Sequence, residues 1–390
     1  MRALGAVILG CVLALLLAEG SLRAYLALAP DPPGSPYVRD AHAVYRLRPE
    51  AILPDSSNCD DHINALGFRD REHAAKKPAD TFRVLGIGDS FVYGAVPVAQ
   101  NFLRIAENTM ARALGDSARV EMVMMGLGGY STSNELGVLE SVGLALAPDL
   151  VVLCFFVGND VTGIPVRGEV IGGRLYYVGS NRWWRHALRK SRLYVLAEMF
   201  YVVQVKSPLM RANAAAVPMA KGLAPNGPVP PVTRAYADIE SRNLPVYHRE
   251  PSRSSRALWS EAERQLKLFD TRCHAAGVPW ILMIVPEEIQ VDPEVRVEVL
   301  QALHASPDAY DFDLPQRRLA VLARARGISV VDPLPRMRSV HRPDARLYVP
   351  NDTHWNERGN RIAGEILGEH LARQHRRSNR ALGAAPHRRP

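Results

Sequence analysis

The sequence is short of the residues that several chemistries require. Only four of its 390 residues are cysteine: Cys11, Cys59, Cys154 and Cys273. None forms a Cys-x-x-Cys pair and no His/Cys cluster has zinc spacing, so no metal ligand set is expected. No Gly-x-Gly-x-x-Gly survives, because Phe91 stands where a third glycine would follow Gly86 and Gly88. A phosphate-cradling Gly-x-x-x-x-Gly-Lys-Ser/Thr and a His-Glu-x-x-His helix are both missing. Val92 occupies the last position of what would be a Gly-x-Ser-x-Gly elbow. These gaps argue against dinucleotide, nucleoside triphosphate and zinc-protease chemistry, and no metal or organic cofactor is implied.

What is present is the composition of a globular chain, 47% hydrophobic and 23% charged. The net charge of +8 would suit a nucleic-acid partner, but much of the excess sits in Arg373, Arg376, Arg377, Arg380, Arg388 and Arg389. A C-terminal stretch of Arg, Gly, Ala and Pro without apolar period cannot pack a core, so residues 373–390 are expected to be a disordered basic tail. No nucleic-acid partner is expected. Cys11 and Cys154 lie in apolar runs and read as buried small hydrophobes, while a Cys59–Cys273 disulfide is left open.

The N-terminus carries an address. Met1-Arg2 precedes an uncharged apolar run from Ala3 to Ala18, and the next charges are Glu19 and Arg23. This fits a secretory signal or a signal anchor. Ala27-Leu28-Ala29 has the small residues of a cleavage site, but Pro30 would hinder cleavage. An uncleaved anchor in residues 1–29 is therefore expected, with the remainder outside the cytoplasmic membrane; secretion after cleavage is the alternative.

From about Arg83 strand-like and helix-like segments alternate. Short apolar runs at 84–87, 120–125, 150–157, 280–285 and 328–331 are separated by helical periods, which predicts an α/β fold with a flavodoxin-like parallel sheet of about five strands, covered on both faces in three α/β/α layers. Residues 30–80 read as a linker and extension, and 81–372 as the main domain. Between 161 and 256 the rhythm breaks. This stretch holds Tyr176, Tyr177, Trp183, Trp184 and a proline-rich piece from Pro218 to Pro231, and is expected to be an inserted lid or subdomain.

In open parallel sheets reactive groups gather at the carboxyl ends of strands. Three such ends here carry polar, glycine-containing motifs: Gly88-Asp89-Ser90, then Gly126-Leu127-Gly128-Gly129-Tyr130, then Gly158-Asn159-Asp160. Each alone could be an ordinary cap or turn. A fourth element, Asp352-Thr353-His354, precedes the last helix. In an extended segment residues two apart point the same way, so Asp352 could hold the His354 imidazole in one tautomer.

Taken together the four elements resemble the SGNH/GDSL hydrolase family. The matching residues are Ser90, Gly129, Asn159 and His354, over about Asn64 to Leu371. The stretches Ile63 to Arg69 and Pro286 to Val291 are similar to membrane-anchored bacterial members. The resemblance implies the SGNH hydrolase fold and a serine esterase with a triad of Ser90, Asp352 and His354. It also implies an oxyanion hole from the N–H groups of Ser90 and Gly129 and the amide of Asn159. The substrate class implied is an acylated carbohydrate or lipid. Two departures stand out. The third block lacks the usual spacer between Gly158 and Asn159, and the last is Asp-x-His, similar to alginate O-acetylation proteins. An O-acyltransferase, drawing on a membrane acyl-donor partner, is therefore a second expectation. A catalytically silent carbohydrate-binding domain is a third.

Overall fold

The computed structural model describes residues 2–28, 36–51, 62–115, 119–163, 168–171, 174–177, 188, 190–201, 204 and 231–383. Contacts divide the chain into two units, one formed by residues 1–39 and 167–219, the other by 40–166 and 220–390.

In the larger unit the five apolar runs form one sheet: β1 (Thr81–Gly88), β2 (Arg119–Gly126), β3 (Leu150–Phe156), β4 (Trp280–Val285) and β5 (Ser329–Val331). Their order is β2-β1-β3-β4-β5. Every pairing is parallel, with Gly88 beside Gly126 on one side and Cys154 on the other. This is the flavodoxin-like order expected from the sequence. All seven residues of β3 and all six of β4 are buried, as strands covered on both faces must be.

Side chains alternate across the sheet. Val84, Met122, Met124, Val152, Cys154, Ile281 and Met283 share a core with Phe102, Ala106 and Met110 of the Phe102–Leu114 helix and Ala363, Leu367 and Leu371 of the Glu357–Gly383 helix. The intervening strand residues are equally buried. A Cβ on Gly143, near the end of the stretch that begins with the Thr132–Val138 helix, would lie 3.2 Å from the Leu85 side chain, and Phe269 of the Arg253–Ala275 helix packs its ring 5.1 Å from Trp280. Helices thus flank the sheet, giving the three layers.

The two helices of the first layer meet at small residues. A Cβ on Gly364 would lie 2.5 Å from the Phe102 carbonyl oxygen, and one on Gly368 2.6 Å from that of Ala106. Gly364→Ala is expected to force these helices apart and to cost about 1–3 kcal/mol, the usual range for overpacking. Urea denaturation checks this; an unchanged midpoint would mean that the helices can shift freely.

Two expectations need correction. The last helix runs on to Gly383, so residues 373–383 of the supposed disordered tail are helical. No proline interrupts the chain between Pro350 and Pro386, and Ala, Arg and Leu favour helix even without an apolar face. Residues 384–390 lie outside the described residues. The stretch 161–256 is also not one insertion. Residues 167–219 fall in the smaller unit, whereas the Arg234–Asn243 helix belongs to the sheet-bearing one. There Asn243 donates to the buried Glu287 carboxylate, and Tyr236 donates to Glu288 at 2.6 Å.

The smaller unit holds an apolar helix, Arg2–Leu28, the antiparallel strands Gly168–Ile171 and Arg174–Tyr177, and a helix at Arg192–Tyr201. Ala3–Leu28 contains an 18-residue window with a mean hydropathy of 2.3 and is long and apolar enough to cross a membrane. Cys11 is accordingly exposed rather than buried in a core, whereas Cys154 and Cys273 are buried free thiols. Trp183, Trp184, Cys59 and the proline-rich piece up to residue 230 lie outside the described residues.

Candidate active site

The chain leaves β1 for the outer strand β2 and then returns past β1 to β3, so the strand order reverses between β1 and β3. A crevice opens at such a point beyond the strand ends. Ser90 follows the end of β1 and Asn159 follows β3, one on each side of it. Ser90 is the first residue of a short helix, Ser90–Tyr93, capped by Asp89, whose carboxylate accepts the Phe91 N–H at 2.9 Å. The first N–H groups of a helix have no partner within it, so that of Ser90 is open to an acceptor from outside the helix.

The neighbouring turns are held from beneath. Gly129 has φ of +78°, a conformation open to glycine, and it turns the chain after β2. Next to it the Tyr130 carbonyl accepts the Asn159 side-chain amide at 3.2 Å. A Cβ on Gly126 would lie 2.7 Å from the Tyr93 backbone nitrogen, so glycine there lets β2 approach the Ser90 helix closely. Asn101 donates to the Phe91 and Val92 carbonyls at 3.3 and 3.1 Å. Arg69 donates to the carbonyls of Tyr93, Gly94 and Val96 at 2.9–3.1 Å. The Ile63 to Arg69 stretch, noticed for its resemblance alone, therefore braces the turn that carries Ser90.

The last block arrives by a different geometry from the one expected. Asp352 and His354 do not lie on an extended strand. Asn351 has φ of +57°, the Asp352 N–H donates to Val349, and the Val349 N–H donates to His354, closing a tight turn. Asp352 then accepts both the backbone N–H of His354 at 3.0 Å and its ring Nδ1 at 2.5 Å. A short carboxylate can bond the backbone two residues on, which explains how a one-residue spacer suffices.

Phe91 joins these pieces. Its ring centroid lies 5.1 Å from that of His354, 4.9 Å from Trp355 and 4.8 Å from Phe156 at the end of β3. Asn360 in the last helix accepts the Phe102 N–H at 3.0 Å, fixing that helix against the segment after Ser90. Ser90, Gly129, Asn159, Asp352 and His354 are all partly exposed, whereas the supporting Asp89, Phe91, Tyr130, Asp160 and Trp355 are buried. The fold thus brings the predicted residues of all four blocks to one end of the sheet.

Electrostatics follow from burial and from these partners. Burial pulls the His354 imidazole down, but the Asp352 hydrogen bond and charge, with the Asp89 charge, leave it above its ordinary value. Asp352 is raised by burial and lowered more strongly by His354, so it stays below the usual carboxylate range. Asp89 is pushed up to about 6 by burial, against the pull of the Phe91 N–H, the His354 charge and the Asn159 side chain. Glu135 and Asp160 are fully buried and raised by burial and by nearby carboxylates, Asp160 beside Glu135 and Asp89 beside Asp160. Sequence reading missed these three as a group, because only the fold brings Glu135 to the ends of β1 and β3.

Glu287 and Glu288, just after β4, are further buried acidic residues. Glu287 accepts from Asn243 and from Tyr247 at 2.6 Å. Burial raises Glu288 to about 8. A carboxyl so raised is neutral in the folded state while its unfolded counterpart ionises, so folding stability should fall as pH rises from about 4.5 to about 8. Glu288→Gln should flatten that slope; an identical pH dependence of urea midpoints in both proteins would contradict it.

Among the described residues no group of three or more His, Cys, Asp and Glu side chains is arranged to hold a metal ion. A cavity of about 680 Å³, lined in part by Arg112, Arg358, Val349 and Pro350, lies beside the site, and Ser90, Asp352 and His354 are not among its lining residues.

Comparison with known proteins gives a partial match. Residues 247–387 match the family model of the SGNH hydrolase-like domain of acetyltransferase AlgX. No curated protein matches the sequence significantly. Similar solved structures include an acetyl xylan esterase, AlAXEase, with 12% identity over 74% of this chain and 99% of that one, at a TM-score of 0.39. Another is the acetylxylan esterase Axe2 from Geobacillus stearothermophilus, with 15% identity over 76% and 93%, at 0.37. A third is the lipase/acylhydrolase from Enterococcus faecalis, with 14% identity over 75% and 96%, at 0.36. The chain thus has a flavodoxin-like parallel sheet, and its C-terminal third, residues 247–387, is similar to an SGNH hydrolase-like domain.

Proposed function

We propose that the protein is a serine acyl esterase of the bacterial envelope, removing acyl groups from a carbohydrate or lipid ester. The observation that carries this reading is the Asp352–His354 pair, bonded through Nδ1 and packed on Phe91 beside Ser90. With Nδ1 engaged by Asp352, Nε2 is left to act as base. It takes the Ser90 hydroxyl proton as Oγ attacks the ester carbonyl. The oxyanion is stabilised by the N–H groups of Ser90 and Gly129 and by Asn159; losing one such donor typically costs about 10²–10³ in rate. Collapse expels the alcohol, which takes the proton from His354. Water, deprotonated by His354, then attacks the acyl-serine and releases the acid.

Esterase activity requires neutral His354. Because Asp352 raises the imidazole, the acid limb of the kcat/KM profile should lie above about 6.5, the ordinary imidazole value. Asp352→Asn removes that pull, so its residual activity should show the limb at lower pH. A limb that does not move would detach Asp352 from His354.

Transfer to a sugar hydroxyl is the second reading, favoured by the matched model, which describes an acetyltransferase domain. It places a glycan hydroxyl where water stands above and needs a membrane acyl-donor partner. Acetyl-ester turnover measured with and without acceptor glycans tests both. Turnover indifferent to acceptor fits the esterase, stimulation with an acetylated glycan product fits the transferase, and no turnover at all leaves a silent binding domain. The Ala3–Leu28 helix is read as a single-pass anchor in the cytoplasmic membrane, with the catalytic unit outside the cytoplasm. A soluble product starting near Pro30 would replace the anchor with secretion.

A further inference from the structure

The smaller unit contains a helix whose position the function does not explain. Arg192–Tyr201 begins against the side of the apolar Arg2–Leu28 helix, and its N-terminus is capped from there. Glu19 accepts the backbone N–H groups of Arg192 at 2.8 Å and Leu193 at 3.0 Å, and the Ser191 hydroxyl at 2.8 Å. Arg23 pairs with Glu19 at 2.7 Å and donates to the Lys190 carbonyl. One carboxylate on the apolar helix thus satisfies the open end of a second helix.

That second helix is itself apolar on its open side. Leu193, Leu196 and Phe200 follow the i, i+3, i+7 spacing of one stripe, while Val195 is buried. Leu196 is 44% exposed, Phe200 68% and Tyr201 57%. Leu188, just before it, is 45% exposed. The cap fixes where this stripe stands. The uncharged run from Ala3 to Ala18 is 16 residues, about 24 Å of helix, and the hydrocarbon core of a bilayer is about 30 Å thick. Glu19 therefore stands near the edge of that core, where a carboxylate, Arg23, Lys190 and a helix N-terminus are all tolerated, and the apolar stripe starts at the same level.

We propose that the Arg192–Tyr201 helix is an interfacial membrane helix, with Leu196, Phe200 and Tyr201 seated among the lipids of the leaflet from which the Ala3–Leu28 helix emerges. The partner is the phospholipid surface, and the apolar stripe continues the lipid-facing surface of the anchor. This rests on the anchor reading. The two are fastened by Glu19, so a helix of only ten residues is held at the interface by attachment as well as by its apolar stripe.

The full-length protein, with Cys11→Ala and Cys59→Ala, is reconstituted in phosphatidylglycerol/phosphatidylethanolamine liposomes. An environment-sensitive fluorophore is attached in turn at Leu13→Cys, Leu196→Cys and Phe200→Cys. Quenching by nitroxide-bearing lipids at positions 196 and 200 is expected within about twofold of that at position 13, with weak quenching by aqueous iodide. Lipid quenching at 13 alone, with iodide quenching at 196 and 200, overturns the proposal and keeps the anchor. Iodide quenching at all three positions overturns the anchor as well. Adding Glu19→Ala should lower lipid quenching at 200 by about half or more and leave position 13 unchanged. No change at 200 would overturn the role of the cap.

Discussion

Ser90→Ala should abolish esterase turnover, by at least about 10³ in kcat, and should also remove all labelling by a fluorophosphonate. The expectation rests on placement. Ser90 follows the end of β1 at the strand-order reversal, on a helix start held by Asp89, Asn101 and Arg69. A serine that merely capped a helix would cost stability when replaced, about 1 kcal/mol, without touching chemistry in the folded fraction. Two readouts on one protein therefore separate the roles. Thermal stability close to wild type with lost turnover and lost label identifies a nucleophile. Label that persists in Ser90→Ala places the reactive group elsewhere.

The second large effect concerns His354 and its dependence on Ser90. His354→Ala should cost as much as Ser90→Ala, and the double variant should be little worse than either, because each removes the same proton-coupled attack. Losses that multiply would mean that the two side chains serve separate steps. Asp352→Asn should be milder but still severe, up to about 10⁴, through loss of the tautomer that its Nδ1 contact sets. Trp355 must be controlled for. It is buried against Phe91 and Phe102, so changes at His354 can disturb packing. His354→Gln, similar in bulk, offers that control.

Much of this site was legible because its signals are local. Apolar runs of four to eight residues followed by glycine and a polar residue announce strand ends in a parallel sheet, and Ser90, Gly129 and Asn159 stand just after three of them. The fifth run, Ile328 to Val331, was likewise visible, although only Ser329–Val331 pair as strand. Features that depend on distant partners were not visible. Nothing local announces that Glu135 approaches Asp160, or that Arg69 bonds three carbonyls beyond Ser90. The turn at Asp352 was misread as extended because alternation was assumed where Asn351 adopts a left-handed conformation. The division of the 161–256 stretch was hidden for the same reason: the Arg234–Asn243 helix is held by Glu287 and Glu288, which lie more than forty residues downstream.

The contact between Phe102 and Asn360 joins residues 258 positions apart. Contacts of such long range form late, since a long loop must close before they repay its entropy. A nascent chain that has released Ser90 from the ribosome still lacks His354, its Asp352 partner and the helix that seats them. On the esterase reading proposed above, synthesis order alone would keep the site incomplete until the segment carrying His354 and Asn360 has emerged. A truncation that removes the Glu357–Gly383 helix keeps Asp352 and His354 but loses the Asn360 contact that fixes them near Phe91, and on the esterase reading it should lose turnover.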